Sequence, residues 1–161
     1  CDIHSHRLAL IKEGANRLGI DIIDVKRSDA SVYSEGMPLA DRVLCDVPCS
    51  GLGIIRRKPE IRCKNSAEID NLPILQYNIL INAARYVKES GRLVYSTCAL
   101  NPAENEEVCK RFLAENKEFV PVDISSVAPE AYSDGYMLTL MPHINSTDGF
   151  FIAAFERRSN S

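Results

Sequence analysis

The sequence predicts an α/β fold: a doubly wound, mostly parallel sheet closed by an antiparallel pair of strands. Three observations carry this expectation. Short apolar runs of strand character at 20–26, 42–45 and 93–95 alternate with longer stretches of helical spacing. The later runs end in acids, thiols and hydroxyls followed by Gly or Pro, as at Asp46-Val47-Pro48-Cys49 and Ser96-Thr97-Cys98, which suits loops at the carboxyl ends of buried strands. In a chain of 161 residues, 45% hydrophobic and 25% charged residues fit one globular domain with a single core.

The elements follow in order. Leu8, Ile11, Ala15 and Leu18 recur at helical spacing and Gly19 stops them, so 4–18 is a helix. Ile20, Ile22, Ile23 and Val25 make 20–26 a strand. A loop with Gly36 and Pro38 leads to the strand 42–45. From about residue 70, Ile74, Leu75, Ile79, Ala83, Tyr86 and Val87 define a helix that Gly91 ends, with Pro73 tolerated in its first turn. The strand 93–95 delivers Cys98. Asn101, Pro102 and Glu104 then supply the N-cap, the N1 proline and the capping-box acid of a helix running to about residue 115. The segments 136–141 and 150–155 form the closing pair, not necessarily parallel to the rest. The domain spans 1–157, and 158–161 is a polar tail.

Several classes of function are disfavoured. Apolar runs stay far short of the roughly 18 residues of a membrane span. Six cysteines at 1, 45, 49, 63, 98 and 109, in a chain with an ordinary core and no secretory signal, point to reduced thiols in the cytoplasm. No C-x-x-C pair exists and Cys45-x-x-x-Cys49 has no matching second pair, so no metal is expected. The net charge of -3 argues weakly against nucleic acid, yet Arg56, Arg57, Lys58, Arg62 and Lys64 fall within nine residues, where they suit an RNA backbone or a solvated loop.

Open α/β sheets bind ligands at the carboxyl ends of their strands, which singles out Asp2, Asp29, residues 46–53 and residues 96–98. In Asp46-Val47-Pro48-Cys49-Ser50-Gly51-Leu52-Gly53 the glycines allow close backbone approach and Pro48 stiffens the turn that aims Cys49. The plain alternative is a glycine-rich loop with a buried cysteine. Cys98 taken alone suits a small core residue, but two cysteines on neighbouring rim loops suit chemistry. Asp2 is either a cofactor acid or a helix cap, and Asp29 a cofactor acid or a turn residue.

The blocks 46–53, Arg56-Arg57-Lys58-Pro59-Glu60-Ile61, Tyr95-Ser96-Thr97-Cys98, Asn101-Pro102-Ala103-Glu104-Asn105-Glu106 and Thr147-Asp148-Gly149-Phe150-Phe151 together resemble the Sun-type, RsmB-like ribosomal RNA cytosine-5 methyltransferases of the Nop2/Sun group. The resemblance spans essentially the whole chain. It implies a Rossmann-like methyltransferase fold and transfer of a methyl group from S-adenosylmethionine to carbon-5 of a cytosine in RNA, expected to be 16S rRNA. Cys98 would be the nucleophile and Cys49 the thiol that assists release; Asp2, Asp29 and Asp46 would be cofactor-site acids, and Arg56, Arg57, Lys58 and Arg62 would meet RNA. Competing readings are a non-catalytic RNA-binding or assembly module, and a thiol-redox protein, which would need a Cys49–Cys98 disulfide.

The chain opens at Cys1 without an initiator Met, so it reads as the C-terminal, catalytic part of a longer protein. The resemblance places the family's glycine-rich cofactor loop ahead of Cys1. The 161 residues alone are therefore expected to bind S-adenosylmethionine weakly and to self-associate through uncovered strand edges. Calorimetric titration with light scattering checks both halves; low-micromolar binding by a clean monomer would overturn the expectation.

Overall fold

The computed structural model describes residues 1–159, apart from the side chains of Ser66 and Glu68. The tail 158–161 thus lies partly outside the described residues. The chain divides into two compact units, Cys1–Met37 and Pro38–Ser161.

In the first unit, helix α1 (Ser5–Leu18) buries Leu8 and Ala15 and ends at Gly19, whose backbone is left-handed. The strand expected at 20–26 does not form. The segment's ladder is reduced to one parallel bridge between Asp2 and Arg27, made by Asp2 N–H to Lys26 O at 3.3 Å and Ser28 N–H to Asp2 O at 3.1 Å. A strand exists only where a neighbour supplies backbone partners, and beside this segment the unit offers Asp2 alone. Its apolar side chains stay outside: Ile22 is 89% exposed.

The second unit carries the sheet. Its elements are β1 (Ala40–Asp46), α2 (Ser66–Asp70), α3 (Leu72–Ala84), β2 (Val87–Thr97), α4 (Glu106–Glu115), β3 (Phe119–Pro121), β4 (Tyr132–Ser133), β5 (Met137–Leu140), α5 (Pro142–Asn145) and β6 (Phe150–Arg157), with 3-10 turns at Leu52–Ile54, Pro59–Cys63 and Pro102–Glu104. The strand order is β1-β2-β6-β5-β4, and β3 also pairs with β6. The α/β class is as expected. Among the described residues the parallel part of the sheet is the β1–β2 pair, and the other pairings are antiparallel, including the closing β5–β6 pair.

One boundary differs from the sequence reading. The helix expected to run from about 70 to Gly91 is two helices, the second ending at Ala84, and Val87 already belongs to β2. Val87 pairs with Ala40 and Arg92 with Arg42, so residues 88–91 loop out within the strand. Gly91 serves that loop-out: a Cβ there would stand 2.7 Å from Lys88 O, a backbone approach that only glycine permits. Tyr86 and Val87 are buried, as helix residues on an inner face would also be, and this is why periodicity misled.

The core lies between the sheet and helices α3 and α4. Leu80, Leu93, Tyr95, Phe112, Phe151 and Phe155 are fully buried, and the Phe112 ring stands 5.0 Å from that of Phe155 and 5.2 Å from that of Phe119. Burial of this aromatic cluster holds α4 on the sheet.

What positions the loops is the parallel register. Asp46 pairs with Ser96, so the chain leaves both strands at the same end. Gly53 then ties three loops: its N–H donates to Cys98 O at 2.9 Å, and its own carbonyl accepts from Gly149 N–H at 2.8 Å. A Cβ on Gly53 would come within 2.3 Å of Gly149 O and 2.8 Å of Cys98 O. Gly53→Ala is expected to cost about 1–3 kcal/mol, as overpacking does. Thermal unfolding should then show a midpoint lowered by several degrees, and an unchanged midpoint would mean that the three loops are not locked together.

Candidate active site: two thiols at the carboxyl end of the parallel pair

The ladder runs one residue beyond the strands, with Val47 N–H donating to Ser96 O at 3.2 Å. Cys49 follows two residues later, and Cys98 two residues after Ser96. Their Sγ atoms stand 3.0 Å apart, both side chains half-buried and both thiols free. Parallel pairing thus delivers two cysteines, 49 residues apart in sequence, to one point.

The pair is electrostatically unequal. The Cys98 thiol is brought down to about 7, first by its hydrogen bond with Cys49, against the opposing effect of burial; its own backbone N–H and the Lys64 ammonium help, and Asp46 opposes. Cys49 is pushed well up, by that same contact with Cys98 and then by burial. Of the two, Cys98 is the thiol drawn toward ionisation near neutral pH. A thiolate is the form in which sulfur attacks carbon.

Polar groups behind the thiols hold their loops. Glu104 is fully buried. Its Oε2 accepts from Ser50 N–H at 2.8 Å and from Gln76 Nε2 at 2.9 Å, and its Oε1 accepts from Asn101 Nδ2 at 3.2 Å. Gln76 Nε2 also donates to Pro48 O at 2.9 Å. Asn105 accepts from Thr97 Oγ1 at 2.6 Å and donates to Ala99 O at 3.0 Å. Sequence reading had Asn101 as N-cap and Glu104 as a capping-box acid. Asn101 does accept from Ala103 N–H at 3.2 Å, but the turn it caps is the 3-10 segment Pro102–Glu104, and α4 begins only at Glu106. The side chain of Glu104 turns inward to the loop of Cys49. The signal for this is the Asn-Pro-x-Glu-Asn block itself, whose local meaning is a helix start and whose buried acid only distant donors reveal.

The remaining candidates divide. Asp46 is exposed, and its Oδ1 accepts from Ser96 Oγ at 3.1 Å. Asp2 and Asp29 lie in the Cys1–Met37 unit. Asp2 Oδ1 accepts from His4 N–H at 2.7 Å, which with Arg7 holds its carboxyl below the usual range; Asp29 Oδ1 accepts from Ser31 Oγ at 2.6 Å and Ser31 N–H at 2.9 Å, with the same effect. These are the local bonds of a helix-start and a turn residue. In the basic stretch, Arg57 pairs with Asp148 at 2.8 Å and Lys64 donates to Ser50 O at 2.7 Å, so two of its cations brace the loops around the thiols. Arg56, Lys58 and Arg62 are exposed. No group of three or more His, Cys, Asp or Glu suited to a metal gathers among the described residues, and none of the described helices is long and apolar enough to cross a membrane.

Comparison with known proteins places the chain in a family. Residues 1–156 match the family described as "16S rRNA methyltransferase RsmB/F". The chain is 40% identical over 165 residues to the probable ribosomal RNA small subunit methyltransferase B of Bacillus subtilis (strain 168), covering 98% of this chain and 37% of that protein. It is 38% identical over 125 residues to the tRNA (cytosine(34)-C(5))-methyltransferase of Drosophila melanogaster, covering 71% of this chain and 17% of that protein. The crystal structure of NSun6 from Pyrococcus horikoshii with SFG superposes with a TM-score of 0.83 at 26% identity, covering 98% of this chain and 40% of that one. The chain therefore spans well under half the length of these relatives. With the family match running from Cys1 nearly to the end of β6, the chain belongs to the 16S rRNA methyltransferase RsmB/F family.

Proposed function

We propose that these residues form the two-thiol centre of an enzyme that transfers a methyl group from S-adenosylmethionine to carbon-5 of a cytosine in RNA, the small-subunit ribosomal RNA being the favoured substrate. The observation that carries the reading is the Cys49–Cys98 contact at 3.0 Å, in which Cys98 is the thiol brought down. Cytosine carbon-5 is a weak nucleophile until a thiolate adds at carbon-6. The Cys98 sulfur forms that bond, and the ring electrons it displaces gather at carbon-5.

The cofactor, when bound, would supply an electrophilic methyl group from its sulfonium centre, the methyl going to carbon-5 and the broken bond's electron pair staying on the cofactor's sulfur. Within the unit that holds the thiols, Asp46 fits such a group, offering an exposed carboxylate three residues before Cys49 with one oxygen oriented by Ser96. Release requires the carbon-5 proton to leave and the sulfur–carbon-6 bond to break, returning the electron pair to Cys98. Cys49 is suited to assist. Once Cys98 is bonded to carbon it carries no charge, and the electrostatic reason for Cys49 to keep its proton disappears. Arg56, Lys58 and Arg62 fit the phosphates flanking the target base, which must be turned out of any stack to reach half-buried thiols.

The roles differ, so the variants should fail differently in the intact protein. Cys98→Ala abolishes methylation and covalent attachment, whereas Cys49→Ala accumulates a covalent RNA adduct, seen as a slow band on a denaturing gel. If neither Cys49→Ala nor Cys49→Ser gives that band, the division of roles is wrong.

The ionisation of Cys98 sets a pH dependence. Its depressed thiol remains a thiolate above about 7 and takes up a proton as the pH falls below that value. Alkylation of Cys98 by iodoacetamide, followed by peptide mass mapping, should lose rate roughly tenfold per pH unit on the acid side. Cys49 should stay slow throughout the neutral range; a Cys49 that alkylates as fast as Cys98 would contradict the opposite shifts of the two thiols.

A further inference from the structure

The turn Pro102–Glu104 and the residue after it sit behind both cysteine loops at once. Adjacent side chains take one loop each. Glu104 receives the N–H of Ser50, the residue after Cys49, and Gln76 joins the same carboxylate oxygen to the carbonyl of Pro48, the residue before Cys49. Asn105 grips the other loop on both sides of Cys98, accepting from the Thr97 hydroxyl and donating to Ala99 O. The turn is itself anchored to β2, because Tyr95 Oη donates to Glu104 O at 2.6 Å. Ser50, Gln76, Thr97, Ala99, Glu104 and Asn105 are all buried.

We propose that Glu104 and Asn105 are positioning residues that act as a clamp, setting the separation of the Cys49 and Cys98 sulfurs from behind. This rests on the reading of the two thiols as nucleophile and release partner. Neither clamp residue touches the sulfurs; each controls the backbone that carries one of them. Because the two are consecutive, one peptide unit ties the loops together from behind, adding to the strand register and to the Gly53–Cys98 backbone bond. A shift of about 1 Å in such a contact is enough to slow chemistry on the order of a hundredfold. Three N–H donors converge on the Glu104 carboxylate, so its loss leaves Ser50 N–H buried without an acceptor.

Different substitutions separate position from mere bulk. Glu104→Met keeps the volume and removes the acceptor. Glu104→Gln can still turn its amide oxygen to Ser50 and Gln76, and gives up only the bond from Asn101. Asn105→Asp still accepts from Thr97 but places an oxygen against Ala99 O, loosening the loop of Cys98. The readouts are the pH inflection of Cys98 alkylation and the steady-state methylation constants of the intact protein, with near-UV circular dichroism confirming the fold of each variant.

With the Cys49 hydrogen bond loosened, Glu104→Met and Asn105→Asp should move the Cys98 inflection up from about 7 toward the ordinary thiol value near 8.5. Both should lower kcat roughly ten- to hundredfold, the usual cost of losing a supporting group. KM for RNA should stay within about twofold, because no substrate contact is removed. Glu104→Gln should stay close to wild type in both readouts. A folded Glu104→Met protein with an unmoved inflection and kcat overturns the proposal; should that variant not fold, the same result in Asn105→Asp overturns it. The alkylation measurement reports only on the meeting of the two sulfurs. If Cys98→Ala still methylates RNA, the reading of the thiols' roles fails, whereas an unmoved inflection is a failure of the clamp alone.

Discussion

The parallel pairing of β1 with β2 is the constraint on which the site depends. Two strands running the same way send their following loops out at the same end, and the register that sets Asp46 opposite Ser96 decides which residues meet there. With side chains alternating faces, a slip of one residue would turn Cys45, Leu93 and Tyr95 out of the core. The register is therefore enforced by hydrophobic burial far from the thiols. Chemistry at the rim inherits its geometry from packing in the middle of the sheet.

The loops beyond the strands have no ladder of their own, and a different kind of bonding holds them. Gly53 meets Cys98 and Gly149 backbone to backbone, Arg57 reaches Asp148, Lys64 reaches Ser50 O, and Glu104 and Asn105 reach back from the turn before α4. A buried carboxylate is tolerable only when donors surround it, and once they do it specifies one arrangement more sharply than apolar contact would. The five sequence blocks that mark the family resemblance are the five segments joined in this way. Their spacing along the chain reflects one locus in space.

The two cysteines illustrate how identical side chains acquire unlike properties. A proton shared across 3.0 Å cannot serve both sulfurs equally, and the surroundings break the tie. Both thiols receive backbone N–H groups and both are raised by burial, but the contact itself lowers Cys98 and raises Cys49, and the Lys64 charge favours Cys98 while Asp46 opposes it. Cys45 and Cys109 show the contrast: both are buried among apolar groups that push their thiols up, Cys45 to about 12, and neither meets a donor to a thiolate.

Much of this was legible from sequence because local rules sufficed. The helix ending at Gly19, the short apolar strands before Asp46 and Cys98, the antiparallel closing pair and the choice of Cys49 and Cys98 all rest on periodicity, on glycine and proline as punctuation, and on motif order. Where the reading failed, a partner distant in sequence was deciding. Residues 20–26 have the composition of a strand but only Asp2 to pair with; Val87 looked helical until Ala40 claimed it; Glu104 looked like a cap until Ser50 and Gln76 supplied donors. The sequence by itself determined which side chains stand at strand ends. Only the tertiary structure decided which strand ends meet, which acid faces inward and which thiol is drawn toward ionisation, because pairing, burial and charge coupling depend on neighbours tens of residues away.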